Sequence, residues 1–182
     1  MSTQRYCASP DASQGVSAIA GGEFRALDAC HREIAEHLER LQALVDRLGG
    51  DGVTTQTQGE AGVIEGFFSA TARGHHADEE RHVFPALLGS GNQELVQAVR
   101  RLQQDHGFIE ENWIELSPQL RALAGGYHWY DLDELRHGVQ VFIELLREHI
   151  ELEESLIYPE AKAHWAEVFA RRAQRHATVE SD

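Results

Sequence analysis

The sequence predicts an all-α protein, an up-down-up-down four-helix bundle with a short C-terminal fifth helix. Apolar residues recur at three- and four-residue intervals through four segments of comparable length. The breaks between those segments are short and rich in glycine or capping residues, which forces each helix to return antiparallel to the last. The chain also echoes itself: His75-x-x-x-Glu79 is followed by Phe84-Pro85, and His149-x-x-x-Glu153 by Tyr158-Pro159, at the same offsets.

Residues 1–22 are small and polar without a period, and read as a mobile arm. The bundle is expected over residues 23–170. Its first helix carries Phe24, Leu27, Ile34, Leu38, Leu41, Val45 and Leu48 on one stripe, with His31 filling the gap between Leu27 and Ile34. Gly49-Gly50-Asp51-Gly52 stops it, and a Thr/Gln-rich loop is expected up to about Gly59. The second helix, from about Glu60 to Leu88, places Ile64, Phe68, Thr71, His75, Glu79, His82 and Ala86 inward. After Gly89-Ser90-Gly91 the third helix shows Leu95, Val99, Leu102, His106, Ile109, Trp113, Leu116, Leu120 and Leu123 at core spacing, with Pro118 expected to kink or restart it. A turn at Gly125–Tyr130 leads to Asp131 or Asp133 as the cap of the fourth helix. Beyond Pro159, Trp165, Val168 and Phe169 suggest a short fifth helix, and residues 171–182 a frayed tail.

Composition narrows the function. The net charge of −14 argues against nucleic acid and anionic membrane surfaces as partners. No apolar run reaches a membrane span, and no basic-then-apolar leader opens the chain, so a cytoplasmic protein is expected. Cys7 and Cys30 form no Cys-x-x-Cys pair and no disulfide framework. The informative residues are among the 11 histidines.

His149 and Glu153 continue the alternation of Leu135, Val139, Phe142, Leu146 and Leu156, so an ionisable pair occupies core positions. Burying such a pair costs several kcal/mol unless something replaces the lost water. Counting heights along antiparallel helices brings His31, His75, His106 and His149 into one layer, with Glu79 and Glu153 about one turn away. A lone core histidine is ordinarily a hydrogen-bonded packing residue. Four stripes broken at one level, beside two carboxylates, point to a metal site. His82 lies in line with His75 about 10 Å on, as an extra ligand or a support for Glu79. His37 and His76 read as rim residues, His76 keeping a smaller claim because it adjoins His75 and would approach the pocket if the helix rotates, and Glu80 and Glu154 read as solvated partners for arginine. A ferritin-like carboxylate site would need a second inward Glu-x-x-His pair, and a zincin-type hydrolase would need His-Glu-x-x-His; the chain has neither.

A lone histidine on the first helix, His-x-x-x-Glu-Glu with Phe-Pro on the second, a histidine on the third and His-x-x-x-Glu on the fourth resemble the hemerythrin-like, or HHE cation-binding, family over roughly Phe24 to Pro159. The resemblance implies a four-helix bundle holding two iron ions bridged by two carboxylates and an oxo or hydroxo group. Carried over position by position, the ligands are His31, His75, Glu79, His106, His149 and Glu153. Oxygen-carrying members place a second histidine four residues after the one on the third helix; here that position is Glu110, which could ligate, act through water or lie at the helix boundary.

The expected function is that of a non-haem diiron protein that binds or senses a small diatomic ligand, dioxygen or nitric oxide. The alternatives are a diiron enzyme that removes peroxide or nitric oxide or aids iron handling, and a bundle stapled by structural zinc. Zinc and manganese suit the same donors. Tyr158 or Glu110 could donate a proton near a bound ligand, and a monomer or homodimer is expected.

Overall fold

A computed structural model of the chain describes residues 19–127 and 130–179. Residues 1–18 of the expected arm, His128 and Trp129 of the expected turn, and residues 180–182 of the expected tail lie outside the described residues. Among the described residues every regular element is a helix, with no strand. They comprise α1 (Ile19–Gly50), α2 (Thr55–Phe67), a π-helical turn (Phe68–Ala72), α3 (Arg73–His82), α4 (Phe84–Leu88), α5 (Gln93–Ala124), α6 (Leu132–Leu152), a second π-helical turn (Glu153–Ile157) and α7 (Tyr158–Val179).

These pieces form four rods: α1, then α2 through α4, then α5, then α6 through α7. The α1 rod packs against α2 and α6, and α5 packs against the same two, which is the square section of an up-and-down bundle.

The connections are fixed by local chemistry. Thr54 and Thr57 form a reciprocal capping box at the start of α2, so the Thr/Gln stretch read as loop is the helix's own first turn. Asn92 accepts from the backbone N–H groups of Glu94 and Leu95, and Asp131 from those of Asp133 and Glu134. At the end of α5, Gly126 adopts φ +74°, a left-handed conformation that lets the backbone N–H of Tyr127 reach Ala122 O at 2.9 Å.

Three helix boundaries differ from expectation. The first helix already runs from Ile19, inside the stretch read as arm. Pro118 lies within an uninterrupted α5 and restarts nothing. The helix expected beyond Pro159 is α7, which follows α6 through a π-helical turn and is longer than expected, running to Val179 through most of the stretch read as tail. A proline removes one donor and crowds the preceding turn. The wider π turn just before Pro159 supplies a local departure from α geometry at that point.

The apolar interior falls into two clusters. The larger contains Ile34, Leu38, Ile64, Phe68, Leu120, Phe142 and Leu146; the smaller contains Phe24, Phe84, Leu102, Ile157 and Tyr158. Fully burying side chains of this size is worth about 1.5–3 kcal/mol each. Between the clusters, every rod contributes polar side chains to one buried layer: His31; His75, His76 and Glu79; His106; His149 and Glu153.

Candidate metal centre

Each residue of the polar layer continues an apolar stripe. On α1, His31 lies between Leu27 of the smaller cluster and Ile34 of the larger; on α5, His106 lies between Leu102 and Ile109. Placing the group on four long rods fixes its depth to within a helical turn, more tightly than loops would.

His31, His75, Glu79, His106, His149 and Glu153, the six ligands implied by the resemblance, come together and are all buried. They form two overlapping groups. His31, His75, Glu79 and Glu153 make one; Glu79, His106, His149 and Glu153 make the other, and both carboxylates are common to the two. The Nε2 atoms of His31 and His75 approach to 2.9 Å. His31 Nε2 lies 3.2 Å from Glu153 Oε2, and His149 Nε2 3.1 Å from Glu153 Oε1. Glu79 lies between His75, at 3.5 Å from Oε1, and His106, at 3.6 Å from Oε2. Donors sharing one ion at about 2.0–2.2 Å stand about 3–3.6 Å apart, so the histidine–carboxylate separations are of the size that cation coordination requires.

The polar atoms also fit a cation. Glu79 Oε2, both oxygens of Glu153, His106 Nε2 and both ring nitrogens of His149 are buried without a hydrogen-bond partner. Buried carboxylate oxygens left so cost several kcal/mol, and divalent cations at those of Glu79 and Glu153 would offset that.

Charge in the metal-free layer is divided unevenly. Burial works against a charged His31, but Glu153, Glu79 and Glu154 outweigh it and raise its pKa above the ordinary value. His106 is likewise raised, burial being overcome by Glu79 and Glu80. Burial and the neighbouring imidazoles push His75 down to about 4 and His76 well below its usual value. Burial also opposes ionisation of Glu153, yet contacts with His149 and His31 hold its carboxyl well below the usual range.

Two residues read as solvated lie at the centre's edge instead. His31 donates from Nδ1 to Glu154 Oε1 at 3.1 Å, and His106 donates from Nδ1 to Glu80 Oε1 at 2.8 Å. A carboxylate on the outer nitrogen orients the ring and raises the basicity of the inner one. The signal for them was the Glu-Glu pair repeated at the same place in each half. Tyr158 lies where expected: its hydroxyl donates to Glu79 Oε1 and stands 3.1 Å from His31 Nε2. Burial and the carboxylates of Glu79 and Glu153 raise its pKa far above that of a free phenol, so it remains a donor.

The echo extends to the aromatic residues. Tyr158 stacks on His31 with ring centroids 5.1 Å apart, and its counterpart Phe84 stacks on His106 at 5.7 Å.

His82 and Glu110 are not part of the buried group. His82 is exposed, and its expected inward place is taken by Val83. The π turn at Phe68–Ala72 is the reason: one extra residue in the turn rotates the downstream helix by about 100°, bringing His76 and Val83 inward and carrying His82 out. His76 is accordingly buried rather than on the rim. Glu110 is half-exposed and ion-paired with Arg73. That pair lies at a cleft of about 630 Å³ whose walls include Phe68, His76, His106, Trp113 and Phe142.

With this geometry in view, comparison with known proteins is decisive. The hemerythrin HHE cation-binding domain matches residues 23–161. The chain belongs to that family. A protein of Haemophilus influenzae, itself described only as uncharacterised, is 33% identical over 130 residues, covering 71% of this chain and 73% of its own length. No solved structure matches this hemerythrin-like chain. No helix among the described residues is long and apolar enough to cross a membrane.

Proposed function

We propose that this hemerythrin-like domain holds two iron ions side by side and uses them to bind or sense a small neutral ligand, dioxygen or nitric oxide. The observation that carries the reading is the sharing of both Glu79 and Glu153 between two histidine groups. One carboxylate between two imidazole pairs is compatible with a single ion; two common carboxylates favour a pair of ions.

Bound there, iron would supply one-electron chemistry and a coordination position open to a small molecule. The chain's own contribution is positional. His31 and His75 would hold one ion and His106 and His149 the other, while Glu154 and Glu80 keep two of those rings aimed inward. The apolar clusters above and below limit the entry of bulk water.

A second reading, an enzyme that removes peroxide or nitric oxide at the same centre, is favoured by Tyr158. Its neutral hydroxyl keeps a proton inside the buried layer against Glu79, where a step consuming a proton would need one.

The test is metal analysis and visible absorption of protein purified in air. Two iron ions per chain with the charge-transfer bands of an oxo-bridged ferric pair are expected. A colourless protein carrying zinc overturns both readings in favour of a structural ion, and turnover of added peroxide or nitric oxide separates the second reading from the first.

A further inference from the structure

The paired-carboxylate centre accounts for His75 and leaves its neighbour His76 unexplained. His76 is 9% exposed and its Nε2 is buried without a hydrogen-bond partner. Its ring lies nearly parallel to that of His106, with centroids 4.1 Å apart, and edge-on to that of His149 at 5.3 Å. Ring nitrogens of His76, His106 and His149 all fall within 4.8 Å of one another. An imidazole nitrogen buried and unpaired costs about 1–3 kcal/mol, so an ordinary packing role explains the position poorly.

We infer that His76 is a third imidazole ligand for the cation held by His106 and His149. This rests on the proposed two-cation centre and adds to it an unequal division of donors. His76, His106 and His149 would supply three imidazoles on one side of the centre, against His31 and His75 on the other.

The internal echo shows where the two halves part. His75, Glu79, Glu80 and Phe84 have as counterparts His149, Glu153, Glu154 and Tyr158. At the same offset His76 corresponds to Ile150, which has no donor atom. The third helix offers no substitute, since Glu110 is engaged by Arg73 at the mouth of the cleft. The π turn at Phe68–Ala72 is the backbone device that brings the extra imidazole inward.

The test uses the full chain stripped of metal and titrated with zinc or cobalt(II). Wild-type protein is expected to take up two ions. His76→Leu is expected to keep one at wild-type affinity and to bind the second about 100-fold more weakly, whereas His82→Leu, at an exposed position, changes neither. In parallel, the ¹⁵N-histidine spectrum of wild-type protein is recorded before and after zinc, with resonances assigned through single-histidine variants. A nitrogen of His76 shifting into the metal-bound range supports the assignment, and this reading does not depend on His76→Leu folding. Two ions bound with the His76 nitrogens unmoved, or with His76→Leu matching wild type, overturn the role of His76 alone. Wild-type protein that binds no cation overturns the centre and His76 with it.

Discussion

His106 and Glu80 lie on different rods and in different halves of the chain, and a 2.8 Å hydrogen bond from Nδ1 to Oε1 joins them. His31 and Glu154 repeat the relationship in the opposite sense. Each half therefore orients a ring that belongs to the other. Glu80→Ala and Glu154→Ala are each expected to weaken cation binding by about 10–100-fold. Glu80→Gln should lose less, because its amide oxygen still accepts from Nδ1. Chelator competition measures both, and unchanged affinity in the alanine variants would show the outer carboxylates to be incidental.

Cation uptake should release protons. His31 and His106 have raised pKa values in the metal-free protein, so below those values each ring carries a proton that a cation must displace. Affinity is thus fully developed above the raised values and falls as pH drops through them, by about tenfold per pH unit for each proton displaced. His75, held at about 4, competes only under more acidic conditions. Calorimetry in buffers of differing ionisation enthalpy counts the protons; a count of zero near pH 6 would contradict the charge distribution described.

Removal of metal should destabilise the fold. At a free concentration 100 times the dissociation constant, one site contributes about 2.7 kcal/mol and two about 5 kcal/mol. For a chain of this size each kcal/mol moves Tm by about 2–4 °C, so loading is expected to raise Tm by roughly 10–20 °C. Differential scanning calorimetry with and without chelator reads the shift, and identical traces would remove the energetic case for buried cations.

Tyr158→Phe takes the hydroxyl from Glu79 and leaves the ring stacked on His31. The metal-free protein is expected to lose about 1–3 kcal/mol, because a buried carboxylate oxygen gives up its donor. A cation on that oxygen should shrink the loss. Urea unfolding of both forms checks the difference, and equal losses would place Glu79 Oε1 outside the coordination shell.

Glu110→Ala should leave the number of bound cations unchanged and alter stability by no more than about 1 kcal/mol, as befits an exposed pairing with Arg73. Loss of a cation in this variant would return Glu110 to the ligand set.

The architecture and the six-residue cluster were legible because both depend on helical periodicity. His31 and His106 replace apolar residues on regular stripes, and their depths follow from the rise per residue along α1 and α5. What was not legible arises where that periodicity is broken. The rotation introduced at Phe68–Ala72 exchanges His82 for His76, and nothing in the one-dimensional pattern marks a π turn. Leu156 and Ile157 show the same effect in the fourth rod: the second π turn buries Ile157 and leaves Leu156, on the expected stripe, only partly covered. The roles of Glu80 and Glu154 were hidden for another reason. An ionised side chain at a helix boundary looks solvated until the ring facing it is known, and that ring comes from the far half of the sequence.

The crossed pairing of those outer carboxylates makes the domain indivisible. A fragment ending before α5 would retain His31, His75 and Glu79, yet His31 would lose Glu154 and the shared Glu153 together. The complementary fragment would suffer the matching loss at His106, which would be without Glu80 and Glu79. Neither hairpin can assemble a half-strength version of the pocket, so loading is bound to the coming together of the whole bundle.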